Sequence, residues 1–80
     1  EDAYVFRVKG DSMIGRGILD GDFVMVSPST PAKDGDVIAA RLGEEATVKT
    51  LRHRGGTVVL EPANPAEREI VVKDGDDFAV

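Results

Sequence analysis

The feature that most restricts the fold of this chain is its punctuation: clusters of Gly, Pro and Asp interrupt it at short intervals, and no stretch between them keeps a 3.6-residue apolar period. Long helices are thereby excluded, and the segments between interruptions read as strands. Ala3 to Lys9 partly alternates apolar and polar residues and runs into Gly10, the pattern of a half-buried strand ending in a turn. Phe23 to Ser27, Asp36 to Leu42, Ala46 to Leu51 and Thr57 to Glu61 are rich in β-branched and aromatic residues. They are bounded by turn formers at Pro28 to Pro31, Gly43-Glu44, Gly55-Gly56 and Pro62 to Pro65. Short segments at Ile70 to Lys73 and Phe78 to Val80, separated by Asp74-Gly75-Asp76-Asp77, supply two more strands. Gly10 to Asp22 reads as a loop with one helical turn around Met13 to Arg16. The expectation is an all-β domain, a small barrel or packed pair of sheets of about seven short strands with little helix.

Eighty residues suffice for one hydrophobic core, so residues 1–80 are read as a single domain. An apolar fraction of 41% is too high for a disordered chain. No internal repeat or linker is visible. The chain stops on apolar Phe78-Ala79-Val80, where a pairing partner is expected, which suggests that a last strand is missing. A formal charge of -5 opposes binding to nucleic-acid phosphates, so any service to DNA requires a separate domain. Without cysteine, disulfides and thiolate metal sites are excluded. The longest apolar runs, such as Phe23 to Val26 and Val37 to Ala40, fall far short of the ~20 residues that span a bilayer, and no signal peptide is visible.

Two residues stand out chemically. Ser12, directly after a strand in Gly10-Asp11-Ser12-Met13, is placed as a turn or capping residue would be, or as a nucleophile whose neighbouring N–H groups face a developing oxyanion. Lys49 lies inside the strand Ala46 to Leu51, whose alternation groups it with Thr47 and Leu51 against Ala46, Val48 and Thr50; neither face is clearly polar. It is either an edge-strand lysine that discourages aggregation or a buried amine able to take a proton from a hydroxyl. Bringing a lysine from about 10.4 to near 7 costs about 4 to 5 kcal/mol, which demands real burial. His53 falls in Leu51 to Gly56, which reads as an exposed hairpin turn, and this disfavours a Ser-His-Asp triad. The pairs in Asp20-Gly21-Asp22 and Asp74 to Asp77 lack the spaced ligands of a calcium loop and read as turns. The glycines match neither a Walker loop nor a dinucleotide fingerprint, so no cofactor or metal is expected.

Taken together, Val8-Lys9-Gly10-Asp11-Ser12-Met13, Gly17-Ile18-Leu19-Asp20-Gly21-Asp22 and Glu45-Ala46-Thr47-Val48-Lys49-Thr50-Leu51 resemble the LexA family, which includes the carboxyl-terminal domains of SOS repressors, phage repressors and UmuD-type proteins. Ser12 and Lys49 are 37 positions apart, which agrees with the family spacing, and Gly35 to Arg41 resembles the strand before the lysine strand. The likeness covers nearly all of the chain, and two of its motifs look closer to SOS repressors than to phage repressors. It implies a serine peptidase with Ser12 as nucleophile, Lys49 as general base, and the backbone N–H groups of Asp11 and Ser12 as the oxyanion site.

The resemblance further implies a cytoplasmic homodimer that cuts a loop of its own chain when an activated recombinase filament on single-stranded DNA engages it. That cut parts a DNA-binding domain from the dimerising one and ends repression of DNA-damage genes. Family cleavage sites are Ala-Gly or Cys-Gly, and no glycine here follows alanine or cysteine. The cleavage loop and DNA-binding domain are therefore expected to lie outside this sequence, leaving a core that cuts only in trans. Three other readings compete, one of them a UmuD-type protein that makes the same cut but serves error-prone DNA synthesis and has no DNA-binding domain. Signal peptidases share the Ser-Lys pair and Gly-x-Ser-Met, but carry proline where this chain has Gly15. A catalytically idle dimerisation module would be marked by loss of Ser12 or Lys49, and both are present.

Overall fold

The computed structural model describes residues 3–27, 31–43, 45–73, 75–76 and 78–80. Seven strands are formed: β1 (Tyr4–Arg7), β2 (Phe23–Val26), β3 (Val37–Leu42), β4 (Glu45–Arg54), β5 (Thr57–Glu61), β6 (Ile70–Val72) and β7 (Phe78–Ala79), with a single 3-10 turn at Ile14–Arg16. The all-β expectation holds, and the helical turn falls where it was read. Parts of three expected turns, residues 28–30, Glu44, and Asp74 with Asp77, lie outside the described residues.

All pairing is antiparallel. β1 and β2 form a two-stranded ribbon, and the others form one sheet in the order β6-β5-β4-β3-β7, which curls into a half-barrel. β4 is the long central element, pairing with β3 from Glu45 to Thr50 and with β5 from Thr50 to Arg54. The strand read as Ala46 to Leu51 thus continues for three more residues. Arg52, His53 and Arg54 resemble turn residues in composition, but Val59, Val58 and Thr57 opposite them draw them into the ladder. His53 accordingly sits in a strand, and only Gly55-Gly56 remains as the two-residue turn. The first strand also departs from its half-buried reading, since Tyr4, Val5 and Arg7 are exposed.

Two apolar clusters lie on opposite faces of β4. Ile38, Ala40, Leu51 and Leu60 form one, backed by Ile70, Val72 and Phe78. Val8, Met13 and Val48 form the other, backed by Phe6, Ile18, Val24 and Ala63. Leu60 and Met13 are the most deeply buried side chains, and such burial contributes about 1.5–3 kcal/mol each.

One turn recurs three times. In Leu19–Asp22, Lys33–Asp36 and Lys73–Asp76 the first N–H donates to the carboxylate of the fourth residue (2.8, 2.9 and 2.8 Å). The fourth N–H donates back to the first carbonyl at 3.0 Å in each. The third residue has φ of +88°, +91° and +91°, a conformation that glycine adopts without strain. The first two copies also dock identically. Gly21 and Asp22 bracket Val8 as Gly35 and Asp36 bracket Leu51, and Asp20 and Asp34 each accept the N–H two residues further on, from Gly10 and His53, both at 2.7 Å. Asp20, Asp22, Asp34, Asp36 and Asp76 thus each accept a backbone N–H, and among the described residues no group of three or more metal-ligating side chains gathers.

Candidate active site

Beyond the Thr50–Glu61 pair, β4 and β5 part company, although continuing their register would set Ala63 opposite Val48. The segment Ser12–Gly15 fills the gap. Ala63 N–H donates to the Ser12 carbonyl and Gly15 N–H donates to the Ala63 carbonyl, both at 2.6 Å. A Cβ on Gly15 would stand 2.5 Å from that carbonyl oxygen, so the close approach needs glycine. Proline, the signal-peptidase residue here, would lack the donated N–H as well. Met13, 1% exposed, anchors the loop in the Val8–Val48 cluster. The neck of the loop is closed by Val8 and Asp22 (2.8 Å) and by Gly10 and Asp20.

This arrangement brings the two sequence-selected side chains together. Lys49 Nζ donates to Ser12 Oγ at 3.1 Å and to Thr47 Oγ1 at 2.6 Å. The Ser12 hydroxyl in turn reaches the Val48 carbonyl at 3.4 Å. Lys49 is 6% exposed and Ser12 9%. Although β5 has already left β4 at this point, Lys49 is buried under the Ser12 loop, so the reading of it as a solvated edge-strand lysine fails. Burial holds the Lys49 ammonium below its usual pKa, against a smaller opposing pull from the Glu67 carboxylate. A lysine so placed is closer to neutrality than an exposed one, with a hydroxyl at hydrogen-bond distance.

Asp11 and Ser12 belong to the same loop. The Asp11 carbonyl accepts from Ile14 N–H (3.4 Å) and from the Asn64 side chain (2.9 Å). His53, exposed and four residues along β4 from Lys49, lies about 13 Å away at ~3.3 Å per residue. It stands outside the cluster, as read from the sequence. Sequence reasoning missed Thr47, Ala63, Asn64 and Glu67. Thr47 was detectable, being two residues from Lys49 on the same strand face. The other three lay in or beyond a segment whose prolines announced only a turn.

The chain matches the family model described as Peptidase S24-like over residues 1–80. It belongs to that family. This S24-like chain is 51% identical over 77 residues to "LexA repressor 2" of Pseudomonas syringae pv. tomato and 49% identical over 77 residues to the LexA repressor of Syntrophotalea carbinolica. It is also 51% identical over 77 residues to "LexA repressor 1" of Nocardia farcinica. Each match covers 96% of this chain but only 38%, 38% and 34% of the respective relative. The S24-like chain thus spans little more than a third of these repressors, and it is a LexA-type serine-peptidase domain. Among its described residues no helix is long and apolar enough to cross a membrane.

Proposed function

We propose that this domain is the self-cleaving endopeptidase of a LexA-type repressor, with Ser12 as nucleophile and Lys49 as general base. The observation that carries the reading is the 3.1 Å contact between Lys49 Nζ and Ser12 Oγ, made by a lysine whose burial favours its neutral form. The single Ser12 proton has two acceptors within reach, the Val48 carbonyl and, once Lys49 is neutral, the nearer Nζ. As Oγ forms its bond to the scissile carbonyl carbon, that proton passes to Nζ and the carbonyl oxygen becomes an oxyanion facing the N–H groups of Asp11 and Ser12. Collapse breaks the C–N bond, and the Lys49 ammonium gives its proton to the departing amine. Neutral Lys49 then takes a proton from water as its oxygen adds to the ester carbon, the bond from that carbon to Ser12 Oγ breaks to release the carboxyl product, and the Lys49 ammonium returns the proton to Oγ. No cofactor or metal enters these steps.

The remaining parts of the reading follow from likeness to LexA repressors. The domain acts as a homodimer, responds to a recombinase filament on single-stranded DNA, and leaves DNA contact to a separate domain. The test mixes this chain with a peptide carrying an Ala-Gly repressor loop at about pH 7 and about pH 10, the higher of which leaves more lysine neutral, and follows products by mass spectrometry beside Ser12→Ala. Cutting that rises with pH and vanishes in a folded Ser12→Ala is expected. Equal cutting by Ser12→Ala would remove Ser12 from the chemistry.

A further inference from the structure

The loop that presents Ser12 is not held by its own turn alone. Asn64, half-buried after β5, donates its side-chain N–H to the Asp11 carbonyl at 2.9 Å, while its own Oδ1 accepts Ala66 N–H at 2.9 Å. One residue earlier, Ala63 donates to the Ser12 carbonyl and accepts from Gly15. Two consecutive residues therefore grip three positions of the nucleophile loop, on the side away from β4. The amide of Asn64 has both functions in use: the oxygen shapes its own turn and the nitrogen reaches across to the residue before the serine.

We infer that Asn64 is a positioning residue for the peptidase reaction, its Nδ2 donor bond to the Asp11 carbonyl fixing Ser12 Oγ against Lys49. This rests on the peptidase reading above. A single neutral hydrogen bond contributes little to folding, so the domain tolerates its loss. The reaction does not, because a displacement of about 1 Å at a reacting atom costs roughly 10²-fold in rate. The bond also orients the peptide unit between Asp11 and Ser12, whose N–H is one of the two offered to the oxyanion.

Asn64→Asp separates the two functions of the amide. It keeps the size and the acceptor for Ala66 N–H and replaces the donor by a charged oxygen, while Asn64→Ala removes the donor without adding charge. Cleavage of the Ala-Gly peptide by the 80-residue chain is measured across a pH series and the plateau kcat values are compared, so that a shift of the Lys49 titration by the added negative charge is read apart from a loss of positioning. The expected result is a kcat lower by roughly 10²-fold with KM changed by no more than about twofold, a melting temperature close to wild type, and an equal loss in Asn64→Ala. Asn64→Asp cutting at the wild-type rate, beside an active wild type, overturns this inference alone. A wild type that cuts nothing overturns the peptidase reading and takes the inference with it. Amide exchange in the wild type is a check that needs no variant: Gly15 and Ala63 amides are expected to be as protected as those of β4, and free exchange at both would refute the clamp.

Discussion

The two halves of β4 carry cations with opposite fates. In its first half, Lys49 is 6% exposed, with hydroxyls rather than carboxylates among the described residues within hydrogen-bond distance, and burial lowers its pKa. At its far end, Arg54 is exposed and bonded to Glu69 at 2.9 Å and Glu61 at 3.1 Å, which raise its pKa, and Arg52 meets Glu61 at 3.3 Å. Strand, sheet and sign of charge are shared. What differs is whether the charge stays in water beside carboxylates or is buried with hydroxyls as its partners. A basic side chain becomes a proton acceptor only where the compensating anion is withheld.

The largest effect expected from breaking that contrast comes from Lys49→Arg, which keeps the cation and removes the base: cutting of an Ala-Gly peptide should fall to background at all pH values below about 12, and surviving activity would take Lys49 out of the mechanism. Lys49→Met removes the cation altogether and should also be inactive, yet more stable than wild type near neutral pH. The sign follows from proton uptake. Unfolding restores the ordinary lysine value of 10.5, so between the lowered folded value and 10.5 the unfolded chain binds more protons. Wild-type stability therefore rises with pH through that window and closes on the mutant, a trend that denaturant titrations at several pH values would read; parallel curves would contradict burial as the cause.

Opening the buried end instead is the next largest perturbation. Met13→Ala removes a side chain 1% exposed and should cost about 2–5 kcal/mol, with slower cutting near neutral pH as water reaches Lys49; unchanged denaturation midpoints would show that the cluster does not seal the site. Glu67→Gln should act in the other direction. Removing a carboxylate that supports the ammonium lowers the Lys49 pKa further, moving the rising limb of the rate profile to lower pH. A limb that stays in place would show that Glu67 is too solvated to matter. The smallest effect is expected at the exposed end, where Glu69→Gln should leave cutting unchanged and lower the melting temperature slightly, the difference fading with added salt.

Much of the sheet was legible because turn formers bracket it. Thr57–Glu61 has the same bounds in sequence and structure, and Ile14–Arg16 falls inside the turn read from Met13 to Arg16. The far end of β4 was not legible, because Arg52-His53-Arg54 carries no apolar alternation and is held by its cross-strand partners. Ser12 and Lys49 stood out by spacing and motif, but not the means of their meeting. The grip of Ala63 on Ser12 and Gly15 is made wholly by backbone atoms, which every sequence possesses, and Asn64 shows itself only when the loop it reaches is known. The Asp20-Gly21-Asp22 copy of the recurrent turn was read as a turn, but in the second copy Asp36 was read as the start of a strand and instead closes the turn before β3; the docking of both depends on strands far away in the chain.

The interruption of the β4–β5 ladder also sets a timetable. Ser12 leaves the ribosome well before Lys49, and the residues that clamp its loop come later still, with Asn64 53 positions behind Asp11. Until that last stretch has been made and has folded back, the serine has no fixed neighbour. On the proposed reading, a nascent chain therefore carries Ser12 without its base, and hydrolytic competence waits until the stretch that ends at Asn64 can restrain the loop.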